Sequence, residues 1–221
     1  RSRGLGDVYK RQRIGMADLD SSPVDWQKLM DGLTGNSALV EGKKPREHQL
    51  NAITKAHIHY MADGNDRGKL IMACGTGKTY TSLLIAEQLF GNNGLVLFMV
   101  PSIALLGQSL NAWSADAKKP IKAVCICSDS KASRKTTKES DDTDDSVVDL
   151  AVPASTNPQS IASQLKKYRD HDGLVVVFST YQSIDAISAA QQEILSETNG
   201  EYGVFDFLIC DEAHRTTGVT I

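Results

Sequence analysis

Two short stretches of the chain carry residue types and spacings that suit chemistry on a nucleotide. The first, GKLIMACGTGKTYTSLLIAEQL (residues 68–89), runs from apolar residues into a glycine-flanked Gly-Lys-Thr and then into a helical pattern. Glycines let backbone N–H groups approach phosphate oxygens, and a helix N-terminus adds a favourable dipole. We expect Lys78 to reach the β and γ phosphates and the Thr79 hydroxyl to bind Mg²⁺. The loop that precedes them consists of Gly75, Thr76 and Gly77.

The second stretch, FDFLICDEAHRTTG (residues 205–218), ends an apolar run in two adjacent carboxylates. Ligands bind at the carboxyl ends of strands in open α/β sheets. Because consecutive residues point to different sides, we expect Asp211 to hold Mg²⁺ and Glu212 to orient and deprotonate the attacking water. His214 and Arg215 follow on the turn, where they would connect the site to a neighbouring lobe. Together the two stretches predict one site that hydrolyses ATP with Mg²⁺.

Composition restricts the class of protein. The 221 residues suffice for one α/β core, and 41% hydrophobic with 23% charged residues is ordinary for a globular protein. A net charge of −3 does not by itself favour nucleic-acid binding, so a surface that binds nucleic acid would have to be a local basic patch. No apolar run approaches the ~20 residues of a membrane span. The four cysteines form no C-x-x-C pair, which favours reduced thiols in the cytoplasm over zinc binding.

Strands and helices must alternate to position the two stretches. Near-continuous apolar runs predict five strands, at residues 69–73, 95–100, 123–127, 174–179 and 207–210. Helical periods predict helices at 44–64, 78–90, 103–113, 158–169 and 182–195. This alternation predicts an α/β fold with a parallel sheet sandwiched between helices.

The ends of the chain and one internal segment differ from this pattern. Residues 1–13 lack a start methionine and an amphipathic period, and we interpret them as a non-native leader. Residues 14–43 are interpreted as a linker with a short helix at 23–33, and 44–221 as the ATP-binding domain. The chain stops at Ile221, so we expect the lobe to be incomplete at its C-terminus. Residues 128–149 are a polar insertion, either a solvated loop or a regulatory or DNA-contacting one.

The motifs MACGTGKT and DEAH resemble those of the first RecA-like lobe of superfamily-two helicases and translocases, which are P-loop NTPases. The stricter phosphate-loop pattern wants glycine where Met72 stands, but the looser form with Gly75 and Gly77 is typical of helicase-like motors. PREHQ is similar to the adenine-reading motif of that family, which implicates Arg46 and Gln49. Two further motifs, VPSIALLGQ and VFSTYQSI, resemble motifs that contact the nucleic-acid backbone, and they implicate Pro101, Ser102, Thr180, Tyr181 and Gln182.

Each of these residues also has a plainer interpretation. A glutamine on a helix is more often a solvated surface residue, but the Arg-x-x-Gln context favours the adenine role for Gln49. Ser102 suits a cap on the helix that starts at residue 103, which is compatible with phosphate contact. Tyr181 is equally consistent with an aromatic at the edge of the core. Three histidines, His48, His57 and His59, lie in one helical stretch and are interpreted as surface residues.

A closer resemblance is to the motor domains of single-polypeptide type I (type ISP) restriction–modification enzymes. It rests on GKLIMACGTGKT, MVPSIALL, ICSDS, STYQSI and DEAHRTTGV. The resemblance implies duplex DNA as a partner, a nuclease before the motor, and a second RecA-like lobe and a methyltransferase after it. The arginine finger of the family comes from the second lobe, so we expect this lobe alone to be nearly inactive.

Three other functions remain open at this point. One is a strand-separating helicase of repair or RNA metabolism. Another is an ATP-dependent binding switch, although a binding module has no need of a water-activating Glu212. The third is a non-functional remnant of a broken reading frame.

Overall fold

The computed structural model describes residues 42–91, 93–127 and 154–213, together with Val24 and Met30. The chain divides into two compact units between Gly42 and Lys43. All the elements named below belong to the second unit. The expected short helix at 23–33 lies, apart from Val24 and Met30, outside the described residues, and the polar insertion at 128–149 lies wholly outside them.

Helices and strands alternate along the second unit. Helix α1 is followed directly by a π-helical turn, Ile58–Ala62, and strand β3 by a 3₁₀ turn, Tyr181–Ser183. The helices are α1 (Glu47–His57), α2 (Lys78–Phe90), α3 (Ile103–Asp116), α4 (Pro158–Lys167) and α5 (Ile184–Glu197). The strands are β1 (Leu95–Val100), β2 (Lys122–Ile126), β3 (Val175–Thr180) and β4 (Phe207–Cys210). Most expected elements are confirmed to within three residues at each end.

The four strands form one parallel sheet in the order β2-β3-β1-β4. In the centre, Leu97 is opposite Val177 of β3 on one side and Leu208 of β4 on the other. Both central strands, β1 and β3, are buried along their whole length. Strands that are apolar on both faces need cover on both faces, and each connection between consecutive strands supplies a helix. The expected α/β fold with a helix-covered parallel sheet is confirmed.

The two faces of the sheet pack against different helices. Alternate residues of β1 belong to two core clusters, because successive side chains of a strand point to opposite faces. The first core cluster includes Leu83, Phe98, Leu106, Leu110, Trp113 and Phe178, so it lies under α2 and α3. The second core cluster includes Leu97, Ile161, Leu165, Val177, Ile187 and Ile194, so it lies under α4 and α5.

The fifth expected strand, at residues 69–73, is wrong. That segment has no regular secondary structure, and the Ile71 side chain is 90% exposed. An apolar run becomes a strand only when a neighbour pairs with it, and within the described residues β4 pairs with β1 alone. Residue Arg67, just before the segment, is instead tied to the π-helical turn by a 2.6 Å contact from its carbonyl to His59 Nε2. The phosphate loop is therefore preceded by a segment without regular secondary structure and not by a strand.

None of the helices in the described parts of the chain is both long enough and apolar enough to cross a membrane.

Candidate nucleotide-binding site

The loop before α2 is turned by two glycines in the left-handed region. Gly75 has a φ of +74° and Gly77 a φ of +85°, conformations that only glycine adopts without strain. The turn is closed by Thr76, whose hydroxyl donates to the Ala73 carbonyl at 2.7 Å. Helix α2 begins at Lys78, immediately after this turn. The first N–H groups of a helix have no partner within it, so the loop ends in an anion-binding helix N-terminus.

Lys78 and Glu212 bring the two sequence stretches together. The Lys78 ammonium lies 3.5 Å from Glu212 Oε1, and each side chain is about one-third exposed (34% and 33%). Lys78 is the first residue of α2, whereas Glu212 follows the edge strand β4. The sequence could predict that both residues serve one site, and the structure places them in contact.

The turn that carries the acidic pair is held by several hydrogen bonds. The Asp211 N–H donates to the Met99 carbonyl at 2.9 Å, which continues the β1–β4 pairing to this residue. The Glu212 N–H donates to Asp211 Oδ1 at 3.0 Å, and the Tyr181 hydroxyl donates to the Asp211 carbonyl at 2.7 Å. Glu212 itself has a φ of +52°, a left-handed conformation that is costly for a residue with a side chain. The two carboxylates are therefore placed by a strained but supported turn.

Gln49 is not on a solvated surface: it is 4% exposed and contacts the phosphate loop. Its Oε1 accepts from the Arg46 N–H at 2.8 Å, and its Nε2 donates to the Thr76 carbonyl at 3.2 Å. A β-carbon at Gly77 would lie 2.6 Å from the same Nε2 atom, so a side chain there would displace the Gln49 amide. The Arg46 side chain is exposed just before α1. The structure thus brings Gln49 to the loop.

Two contacts of the site were not foreseen from the sequence. His48 Nε2 lies 3.1 Å from the Thr76 carbonyl, so this exposed histidine also touches the phosphate loop. The indole N–H of the fully buried Trp113 donates to the Thr79 carbonyl at 3.1 Å. Because a buried tryptophan usually finds a partner for its N–H, the sequence indicates that Trp113 makes some hydrogen bond, but it does not indicate that Thr79 is the partner.

The residues expected to contact nucleic acid lie at the carboxyl ends of β1 and β3, on the edge of the sheet that carries the site. Ser102 caps α3, since its hydroxyl accepts from the Leu105 N–H at 3.3 Å. Thr180 is buried at 4% exposure, and its hydroxyl lies 3.3 Å from that of Ser183, so its side chain does not face solvent. Tyr181 is half-buried and Gln182 exposed. Pro101, directly before the cap, is also partly exposed.

His214, expected with the catalytic residues, lies outside the described residues.

Two surface concavities lie at the opposite edge of the sheet, near the end of α2 and the start of β1, and are lined by residues such as Glu87, Gly91 and Leu174. Neither includes the phosphate loop or the acidic pair. No group of three or more acidic, histidine or cysteine side chains in the described segments is arranged to hold a metal ion.

The chain is similar to proteins of several restriction systems. The family model described as "Type III restriction enzyme, res subunit" matches residues 42–220. A type I restriction enzyme EcoAI endonuclease subunit from Escherichia coli is 35% identical over 48% of this chain. The ATP-dependent type ISP restriction–modification enzyme LlaBIII, solved bound to DNA, is 36% identical, with a TM-score of 0.71 over 93% of this chain. A nuclease-deletion mutant of the type ISP enzyme LlaGI, solved with a DNA substrate mimic, is 39% identical, with a TM-score of 0.60 over 78%. The chain spans only 14%, 12% and 15% of these three proteins, respectively.

Proposed function

The chain belongs to the type III restriction enzyme res subunit family, and from that premise we propose that it is the ATP-hydrolysing motor lobe of a translocase within a restriction–modification enzyme. The observation that carries the proposal is the 3.5 Å contact between Lys78 and Glu212. It joins a phosphate-binding cation to a carboxylate that can activate water, which is the pairing that nucleotide hydrolysis requires.

The residues of the site fit ATP with Mg²⁺. Gly75 and Gly77 present no β-carbon to a phosphate, and Lys78 already neutralises one negative group, as it would a phosphate. Bound MgATP supplies the phosphoryl group and a divalent charge. Thr79 and Asp211 would hold the metal, Arg46 and Gln49 the adenine, and the phosphates would lie on Gly75, Thr76, Gly77 and Lys78.

The ion pair has a direct consequence for the order of events in this lobe. While the Lys78 ammonium contacts the Glu212 carboxylate, it does not bind a phosphate, and the carboxylate does not orient the attacking water. Transfer of Lys78 to a phosphate leaves the Glu212 carboxylate to orient a water molecule and to accept its proton. The Gln49 amide nitrogen carries two N–H donors, so one can stay on the Thr76 carbonyl while the other is directed at a base.

We further propose that duplex DNA binds along the carboxyl ends of β1 and β3. This assignment is supported by the solved relatives, which are complexes with DNA or a DNA substrate mimic. The segments involved are Pro101 with Ser102, and the turn at Thr180, Tyr181 and Gln182. Because the Thr180 side chain is buried, its contribution would come from its backbone. In this proposal the parent protein also carries a second RecA-like lobe, a nuclease and a methyltransferase.

We propose that the protein is cytoplasmic, where thiols stay reduced, since none of its four cysteines, all within the described residues, forms a disulfide. The alternatives, a strand-separating helicase and an ATP-dependent switch, share the same nucleotide site. The similarity to three restriction enzymes favours the translocase over the helicase. The contact of Glu212 with the phosphate-loop lysine favours a hydrolytic lobe over a switch.

Nucleotide binding by the 221-residue chain tests the proposal. We expect Lys78→Ala to abolish binding of a fluorescent ATP analogue with Mg²⁺. Lys166→Ala, which removes the cation of an exposed ion pair with Glu197, should leave binding intact. Turnover should stay low with or without duplex DNA, because an arginine finger from a second lobe contributes about 10³–10⁵ in rate. If Lys78→Ala binds as wild type does, the nucleotide site is wrong, and strong DNA-stimulated turnover by the chain alone contradicts the two-lobe proposal.

A further inference from the structure

Tyr181 connects two parts of the sheet edge that are not neighbours. It begins the 3₁₀ turn directly after β3, and its ring packs against the second core cluster. Its hydroxyl donates to the Asp211 carbonyl at 2.7 Å, although β1 lies between β3 and β4 in the sheet. The side chain therefore spans the end of β1 to reach the acidic turn.

The bond fixes the peptide that joins Asp211 to Glu212. The carbonyl of that peptide accepts from the Tyr181 hydroxyl, and its N–H donates to Asp211 Oδ1 at 3.0 Å. Both polar ends of the peptide plane are thus held. The plane leads into Glu212 at a φ of +52°, a conformation that persists only where its surroundings enforce it. Rotation of this plane would displace both the Asp211 carboxylate and the Glu212 side chain.

The phenol remains a donor at neutral pH. Burial raises the pKa of Tyr181 above its ordinary value, and the neighbouring Cys210, Asp211 and Glu212 raise the pKa further. The Cys210 thiol, which also lies beside the phenol, has its pKa raised by burial. A phenol of ordinary pKa, about 10, is already protonated at neutral pH, so the bond to the Asp211 carbonyl does not depend on this shift.

We propose that Tyr181 is a positioning residue for the acidic pair, whose hydroxyl holds the Asp211–Glu212 peptide in the geometry that binds Mg²⁺. The inference rests on the proposed function of the site. Tyr181 also belongs to the turn that we assign to DNA, but its hydroxyl is directed at Asp211. Only the partly exposed remainder of the residue is left for nucleic acid.

The test compares two tyrosines whose rings pack on the same core cluster. Tyr181→Phe removes the hydroxyl that bonds Asp211. The control, Tyr202→Phe, removes a buried hydroxyl that has no hydrogen-bond partner among the described residues. Each chain is titrated with a fluorescent ATP analogue in Mg²⁺ and in EDTA, and the Mg²⁺ concentration at half-saturation is measured. We expect Tyr181→Phe to weaken the Mg²⁺-dependent affinity about three- to tenfold, the loss typical of one hydrogen bond. Affinity in EDTA and both affinities of Tyr202→Phe should equal wild type.

The outcomes separate the two levels of inference. Wild-type values for Tyr181→Phe in both buffers would overturn the positioning role. So would an equal loss in Mg²⁺ and EDTA with an unchanged Mg²⁺ half-saturation, since that pattern means general loosening of the fold. If wild type binds no nucleotide, or binds it regardless of Lys78, the proposed function fails first and Tyr181 has no metal site to position.

Discussion

Replacing Glu212 with glutamine should make nucleotide binding tighter, although Glu212 is the proposed water-activating base. The carboxylate contacts Lys78 Nζ at 3.5 Å in the nucleotide-free lobe. A bound phosphate must take Lys78 from this partner, so part of the binding free energy is spent on breaking the ion pair. Glu212→Gln removes that cost and also removes a negative charge that faces the phosphates.

The size of the effect follows from the geometry of the pair. Two unit charges 3.5 Å apart attract by about 1.2 kcal/mol in bulk water, and the attraction is stronger where water is partly excluded. Ordering two long side chains offsets much of this, and exposed pairs contribute about 0.2–1 kcal/mol. Each side chain here is about one-third exposed, so we take about 0.5–1 kcal/mol. That range corresponds to a dissociation constant about two- to fivefold lower.

A titration with a fluorescent, non-hydrolysable ATP analogue measures this difference directly. The matched control is Glu197→Gln, which breaks another lysine–glutamate pair, with Lys166 Nζ 3.2 Å from Glu197 Oε2. That variant should bind as wild type does. The gain in Glu212→Gln should also shrink between about 0.1 and 1 M salt, as the Debye length falls from about 10 to 3 Å. Weaker or unchanged binding by Glu212→Gln, or an equal gain in Glu197→Gln, would refute the reasoning.

Further substitutions probe the loop, the caps and the core. Gly77→Ala should weaken nucleotide binding, because its β-carbon would lie 2.6 Å from the Gln49 amide nitrogen and would displace that amide from the loop. Gly75→Ala meets no atom within 4 Å and should cost mainly the strain of its left-handed φ, about 1–2 kcal/mol in a urea melt. Ser102→Ala and Asn157→Ala each remove a helix cap, so each should lower the free energy of unfolding by about 1 kcal/mol. Only Ser102→Ala should also weaken the binding of duplex DNA. If the two variants bind DNA equally well, Ser102 is not part of the DNA surface. Burial raises the pKa of Cys125 from 9.0 to about 12, so the thiol's contribution to stability is complete below pH 9 and is lost as the pH rises towards 12. Urea unfolding at several pH values should show a smaller alkaline loss in Cys125→Ala, and identical pH slopes would contradict this assignment.

The sequence predicted those parts of the fold that periodicity and chain order encode. The runs that became β1 and β3 are almost entirely apolar, and they lie in the centre of the sheet. The segment at 69–73 has four apolar residues after Lys69 but forms no strand, because strand formation depends on a partner edge and not on composition alone. Sequence patterns therefore identified which segments are apolar, and pairing decided which of them are strands.

The residues of the candidate site were named from the sequence, and the structure brings Lys78 and Glu212 into contact, but the contacts themselves were not predicted. Glycine and lysine at the start of α2 and two carboxylates after β4 follow from local patterns. The bond from Tyr181 to Asp211 and the left-handed conformation of Glu212 do not, because each depends on how distant elements pack. Gln49 shows the same limit: its motif implied adenine, while its buried amide is held on the phosphate loop.

The indole of Trp113 gives this lobe an optical property of its own. Its ring lies edge-on to Phe98 and Phe178, at 5.2 and 5.9 Å between centroids, and its N–H bonds the carbonyl of Thr79. Indole emission responds to the polarity around the ring and to the bond that its N–H makes. The sequence contains one other tryptophan, Trp26, so Trp26→Phe would leave a single tryptophan, in contact with the residue assigned to Mg²⁺. Occupancy of the site should then shift the tryptophan emission of the unlabelled protein.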